Sequence, residues 1–319
     1  MILSVKTNEA EVGNIGTMKN LKSRLFNRRT SLLYMALPFV VLIFVFSYLP
    51  LHGWIYAFSD SMPGSAKGIH FVGLSLFKRM FMPGSTFIYA LRNTLAMGSL
   101  ILISTPLPVI FALCLAEVRN TKASRTIQTI TSLPNFVSWV LVYGIFFIMF
   151  SSQGFVNNAL LSLRLIDEPI NVLANAKWVW VVQTLATLWK TLGWEAIIYI
   201  AALASIDKEL YEAAYMDGAG RFAKMWYVSV PGLRQTFFVL LLLAVGNILN
   251  SGFEQYYVFR NPLILNKIDV LDTYIYTQGI TNMEFGYSTA VGMAKSLVSV
   301  SLLMFVNYIS KKVRGDSII

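Results

Sequence analysis

Five ionisable side chains sit inside or at the edge of apolar stretches: Arg92, Lys190, Glu195, Glu254 and Lys295. Charge is costly in an apolar span, so each is first a candidate for a solute path. Lys190 and Glu195 share one helical run, but five residues turn them about 140° apart, which makes them imperfect partners. Trp189, Trp194 and Tyr199 surround them in sequence. Aromatic faces stack on the C–H faces of sugars, polar groups bind hydroxyls, and the cations Lys190 and Lys295 would suit a carboxylate. Asn247, Asn250 and Glu254 recur at helical spacing and predict a second polar stripe. The competing reading is structural. Lysines and acids can pair to hold a bundle, and aromatic residues are common packing or interfacial-belt residues.

No catalytic set stands beside these residues. There is no Walker-type glycine loop, no HExxH and no nucleophile elbow, so the chain reads as a non-enzyme that binds no ATP by that route. His52 and His70 share one loop and would leave a metal site incomplete, so no metal is expected. One cysteine, Cys114, allows no disulfide within the chain.

The elements that must carry these residues are membrane helices. The chain of 319 residues is 56% hydrophobic and only 13% charged, with mean hydropathy +0.60, whereas soluble domains carry about 25% charged residues. Six stretches reach the roughly 20 apolar residues a crossing needs: 31–50, 90–116, 133–151, 178–204, 233–253 and 287–310. Pro38, Pro106 and Pro108 inside them fit a bundle with a solvent-accessible interior, or simple kinks. The run after the basic tail 1–30 is too long for a signal-peptide core and reads as a retained first span. The expected organisation is a tail over 1–30, a six-span domain over 31–310 and a tail over 311–319.

The net charge of +10 is topological. Basic residues cluster in the first tail, at Arg119, Lys122 and Arg125, at Lys208, Arg221, Lys224 and Arg234, and at Lys311, Lys312 and Arg314. These outnumber Lys67, Lys78, Arg79, Arg164, Lys177, Arg260 and Lys267 on the other side, which predicts both termini in the cytoplasm. No compact basic module with interleaved aromatics appears, so nucleic acid is not an expected partner.

One cytoplasmic loop, 205–232, has its own architecture. Asp207 can cap a helix start, and Leu210, Ala213, Ala214 and Met216 supply an apolar side. Gly218 and Gly220 suit a helix end that needs positive φ. RFAKMWYVSV predicts a second short helix, and Pro231 a sharp turn into the next span. Within it stand Glu212, Ala213 and Ala214, then Gly218 and Ala219, then Val228, Val230 and Pro231.

That spacing resembles the EAA loop of binding-protein-dependent ABC importer permeases: EAA, three residues, Gly, nine residues, two aliphatics one residue apart, Pro. Segments such as ALRNTL (90–95), SLPNFVSWV (132–140), LWKTLGW (188–194) and NSGFEQYYVFRNP (250–262) resemble the complex-carbohydrate branch of that family. The resemblance implies an all-α fold of the type I importer (MetI-like) kind in a bacterial cytoplasmic membrane. It implies that the loop docks on an ATP-binding subunit, with small Ala213 and Ala214 allowing close approach and Glu212 an acid for a basic partner. It further implies a second homologous permease, two ATP-binding subunits carrying ATP and Mg, an extracytoplasmic solute-binding lipoprotein, and an oligosaccharide substrate, uronate-containing ones included. The alternatives are another solute such as a simple sugar or amino acid, a membrane enzyme, or an anchor without transport; the last two lack a catalytic set and a use for the loop, respectively.

Overall fold

The computed structural model describes residues 28–60 and 70–314. Most of the expected first tail, Lys67, and residues 315–319 of the last tail lie outside the described residues. The described residues are helical apart from one isolated antiparallel bridge, Ser59 to Phe71, and the connecting turns. The chain divides into two units, Met1–Ile55 and Tyr56–Ile319.

The first unit holds α1 (Arg28–Ile43), a π-helical turn over Phe44–Tyr48, and the start of a 3₁₀ stretch over Leu49–Phe58. Every residue from Leu33 to Pro50 is exposed. A helix that is apolar and exposed on all sides is built for lipid or for another helix.

The second unit carries α2 (Ser75–Arg79), α3 (Phe87–Ser104), α4 (Pro106–Ala116), α5 (Thr121–Ser132), α6 (Trp139–Phe150), α7 (Phe155–Ser162) and α8 (Val179–Ala204). Then come α9 (Lys208–Met216), α10 (Arg221–Lys224), α11 (Val230–Gly246), α12 (Glu254–Phe259), α13 (Leu265–Ile268), α14 (Leu271–Tyr276) and α15 (Phe285–Arg314). Proline explains the division between α3 and α4. Pro106 has no N–H to offer Leu102, and Thr105 takes that carbonyl instead, through its backbone N–H at 3.2 Å and its hydroxyl at 2.8 Å.

Five stretches are long and apolar enough to cross a membrane: Leu33–Phe58, Phe87–Ala116, Trp139–Ser162, Arg221–Gly246 and Phe285–Lys312. The expected crossing over 178–204 is absent from that set. As α8 it is one unbroken helix of 26 residues, about 39 Å long, but Gln183, Lys190 and Glu195 dilute its apolarity. Its surroundings account for this. Helix α8 packs against α3, α4, α5 and α11, and Gln183, Thr184 and Lys190 are buried among its neighbours. The face of α8 packed on its neighbours need not be apolar, while Val181, Leu185, Trp194 and Ile198 keep an exposed, mostly apolar face.

Two other boundaries move. The third apolar stretch becomes α-helical at Trp139 rather than at 133, because Leu133–Phe136 forms a 3₁₀ turn and Val137 is extended before Ser138 caps α6. The fifth ends at Gly246 rather than at 253, so Asn247, Asn250 and Glu254 do not form a helical stripe. Asn247 closes α11, Asn250 donates to the Asn247 side chain at 3.2 Å, and Glu254 opens the separate helix α12.

Candidate functional site

The loop between α8 and α11 is assembled from local rules. Asp207 caps α9, its carboxylate accepting the Glu209 N–H at 3.0 Å. At the other end Gly218 takes φ +76, and two bonds close the turn: Gly218 N–H to Tyr215 O at 3.0 Å and Ala219 N–H to Ala214 O at 2.9 Å. That pair of bonds is a Schellman closure, which needs a left-handed residue where Gly218 stands. Gly220 differs from its expected role. It starts α10 in extended backbone, φ −69 and ψ 177, with no positive φ.

Pro231 also differs from expectation. It makes no sharp turn, because α10 runs through a π-helical turn, Met225–Ser229, straight into α11. The Val230 N–H reaches back five residues to Met225 O, and this wider turn accommodates a ring that would crowd an α-helical carbonyl four residues earlier. Helix α9 is tied to that turn by Tyr211 and Ser229, whose hydroxyls are 2.9 Å apart.

No residue of α9 is buried. Glu212 and Ala213 are exposed and Ala214 is half-buried. Around them Met216 and Phe222 are each 83% exposed and Trp226 64%. An apolar, rigidly closed surface beside an exposed acid is the composition of a docking face.

The second set of candidates lies on and around α8. The Lys190 ammonium donates to three backbone carbonyls, Pro134 at 3.2 Å, Asn135 at 2.7 Å and Val137 at 2.5 Å, and lies 5.4 Å from the Trp139 ring centroid. All three of its donors are engaged, and the residue is only 8% exposed. Lys190 thus satisfies the carbonyls that the break between α5 and α6 leaves open. Close by, a Cβ on Gly193 would collide with the Thr131 carbonyl, so glycine permits α5 to lie against α8. Trp194 packs edge-on against Phe136 at 5.5 Å. Lys295 is ion-paired with Asp272, joining α15 to α14.

Glu195 and Tyr199 do share a cavity. Its volume is about 210 Å³, and it is lined from α8 by Thr187, Thr191, Glu195 and Tyr199, with Ser104 and Thr105 at the α3–α4 break and Leu240 on α11. One chain therefore supplies a mostly apolar wall with scattered hydroxyls and one carboxyl, and the cavity is too small to hold an oligosaccharide.

Beside it runs a polar network that linear spacing does not reveal. Gln255 donates to the Gln183 carbonyl and side-chain oxygen, each at 2.9 Å, and Thr187 donates to Gln255 at 2.9 Å. Glutamines in apolar segments are the signal that could have found it. The pair that follows α12, Arg260 and Asp269, is equally silent in the sequence. Arg260 donates to Thr277 at 2.9 Å and lies 3.8 Å from Asp269. Burial pushes the Asp269 carboxyl up, while its bond from Thr273 and the charge of Arg260 pull it back.

The described residues thus form a helical bundle with membrane-length apolar helices and an exposed, closed loop surface at α9. The chain belongs to the family of binding-protein-dependent transport system inner membrane components, whose family model matches residues 104–315. It is 43% identical over 290 residues to protein LplB of Bacillus subtilis (strain 168), covering 89% of this chain and 90% of that one. It is 38% identical over 286 residues to the polygalacturonan/rhamnogalacturonan transport system permease protein YteP of the same organism, covering 89% and 88%. Among solved structures it resembles a chain of a bacterial alginate ABC transporter in complex with its alginate pentasaccharide-bound periplasmic protein. That match has a TM-score of 0.82 at 32% identity and covers 91% of this chain and 97% of the other. The protein is a multi-pass inner-membrane transport permease of the type I importer fold, not an enzyme.

Proposed function

We propose that the chain is one of two permease halves of an ATP-driven importer of oligosaccharides, with uronate-containing oligosaccharides as its substrates. The observation that carries the coupling role is the 205–232 loop. Its left-handed Gly218 and exposed Glu212, Ala213, Met216 and Phe222 form a rigid surface that α9 does not bury. In this reading the loop docks on an ATP-binding subunit that carries ATP and Mg. The second wall of the pathway comes from a homologous permease, and a solute-binding lipoprotein delivers the sugar. Helix α8 makes the sixth crossing, and both termini are cytoplasmic.

Acidic sugars are favoured by two likenesses, to a polygalacturonan permease and to an alginate transporter. Within the pathway Glu195, Tyr199, Thr187 and Thr191 line the cavity and contact hydroxyls. Trp194 offers an aromatic face at its border, and Asn247, Asn250 and Glu254 continue the polar surface beyond α11. Lys190 and Lys295 act through helix positions, since their ammonium groups are already engaged.

The test is Glu212→Lys in the assembled complex, with ATPase activity and uptake of an oligogalacturonide measured separately. We expect uptake to fall at least tenfold while the complex still assembles. Unchanged uptake would falsify the coupling role of the loop.

A further inference from the structure

A second pocket, of about 460 Å³, lies away from the α8 cavity, between the start of α3 and the α12–α14 segment. Tyr89, Arg260, Asn266, Asp269, Tyr274 and Thr277 are among its lining residues. Its size falls in the range of small-molecule sites, about 300–1,000 Å³. Arg260 is the notable member. Its side chain is only 20% exposed, yet its one hydrogen bond is to the neutral hydroxyl of Thr277. It is ion-paired with Asp269, but at 3.8 Å and without a hydrogen bond, and that carboxylate already accepts a 2.6 Å bond from Thr273. A guanidinium has five donors in a planar fork, so most of its capacity is unused in a concave site.

Two further cations stand next to the lining residue Asn266, outside the pocket wall. Arg92 donates to the Asn266 carbonyl at 3.0 Å and lies 5.2 Å from the Tyr89 ring centroid. Lys267 lies 4.5 Å from the Trp180 ring centroid. Neither Arg92 nor Lys267 has a carboxylate within ion-pair distance among the described residues. The pocket itself thus holds one cation, Arg260, and one carboxylate, Asp269, and its walls also offer Tyr89 and Tyr274 and the amides of Asn266 and Gln278.

We propose that this pocket is an entrance subsite for a carboxylate-bearing sugar ring, with the Arg260 fork binding the carboxylate and Tyr89 stacking on the ring. The inference rests on the importer reading and on the proposed orientation, which places α12–α14 and the start of α3 on the extracytoplasmic side. It deepens that reading by giving the chain its own selection for acid, separate from the hydroxyl-binding wall on α8. A concave aromatic pocket favours a sugar over an acidic side chain of the binding protein, which would need only an exposed cationic surface.

The test uses the complete permease–ATPase complex in nanodiscs, with Leu263→Cys in this chain. Leu263 lines the pocket and is exposed, so the change should not disturb folding. Modification of position 263 by a membrane-impermeant maleimide is followed by peptide mass spectrometry. Trigalacturonate should slow it at least fivefold, its carboxyl-reduced counterpart should not, and adding Arg260→Gln should abolish the protection. Equal protection by both trisaccharides, or by neither, overturns the proposal, as does protection that survives Arg260→Gln. Protection by sugar-free binding protein alone would identify a protein dock and overturn it too. If Arg260→Gln does not assemble, the comparison of the two trisaccharides decides by itself. ATPase stimulation by trigalacturonate-loaded binding protein is measured on the same preparation. A stimulated but unprotected complex sinks only the subsite, whereas an unstimulated one sinks the acidic-sugar reading beneath it.

Discussion

Helix α8 and the loop that follows it are neighbours in sequence and opposites in construction. The loop presents apolar side chains outward and buries nothing on α9, while α8 turns polar side chains inward and buries Gln183, Thr184 and Lys190. The difference follows from where each finds its partners. Polar groups of α8 are satisfied inside this chain, by carbonyls of the α5–α6 break and by Gln255 on α12. The apolar groups of the loop, Met216, Phe222 and Trp226, stay exposed on this chain and find cover on another subunit in the proposed complex. Interior polarity here holds the bundle together, and in the proposed complex the exterior apolarity of the loop forms an interface.

The sharpest way to break that contrast is to remove Lys190. Lys190→Met keeps the volume and deletes the charge, leaving the carbonyls of Pro134, Asn135 and Val137 without their donor. Hydrogen bonds to a charged group contribute about 1.5–3 kcal/mol each, and the three share one ammonium, so a total loss of about 3 kcal/mol is expected. For a chain of this length that corresponds to a melting temperature lower by roughly 5 °C. If Lys190→Met melted with wild type and lost only transport, Lys190 would serve the substrate rather than the bundle and the contrast would fail. Gly193→Ala tests the same seam from its other side. The added Cβ meets the Thr131 backbone, which cannot rotate away, so about 1–3 kcal/mol should be lost, read as a smaller drop in melting temperature.

These two residues also show how far the sequence can be read. The loop is legible at Asp207 and Gly218 because those determinants are local, an N-cap and a left-handed glycine, though not at Gly220, which needs no positive φ. The α8 candidates are not, because spacing along one helix does not show what lies across from it. Lys190 reads as a site for a carboxylate and instead meets three carbonyls from residues 134–137, more than fifty positions away. Arg260 gives no signal because it stands in a polar loop sequence, and only the fold brings it to a pocket with Tyr89. Even within the loop, Pro231 misleads. Its ring does suggest a turn, but a π-helical turn absorbs it without breaking the helix.

Lys295 and Asp272 sharpen the comparison at a middle magnitude. Their side chains are 11% and 23% exposed, so the pair is largely desolvated and its loss should exceed that of a surface pair. Removing one partner strands the other charge, whereas removing both leaves an uncharged contact between α14 and α15. Lys295→Met alone should lower the melting temperature, and Lys295→Met with Asp272→Asn should recover most of the loss. Equal loss in the single and double variants would show that the lysine serves something other than this pair.

The smallest stability effect, and the cleanest separation of stability from function, belongs to the two loop glycines. Gly218 holds φ +76 and has open space on the side where a Cβ would project, so Gly218→Ala strains the backbone without a clash. The cost is about 1 kcal/mol. It falls on a segment where α9 buries no residue, so the melting temperature of the complex should barely move. Transport should respond far more, because unwinding the Schellman closure tilts α9 and misplaces Glu212 against its partner. Gly220→Ala is the control, two residues away, equally open and in extended backbone that any residue adopts. Uptake per ATP hydrolysed should fall several-fold for Gly218→Ala and stay at wild type for Gly220→Ala. If both glycines tolerated alanine equally, the closure would be dispensable and the rigidity attributed to the docking surface would have no function.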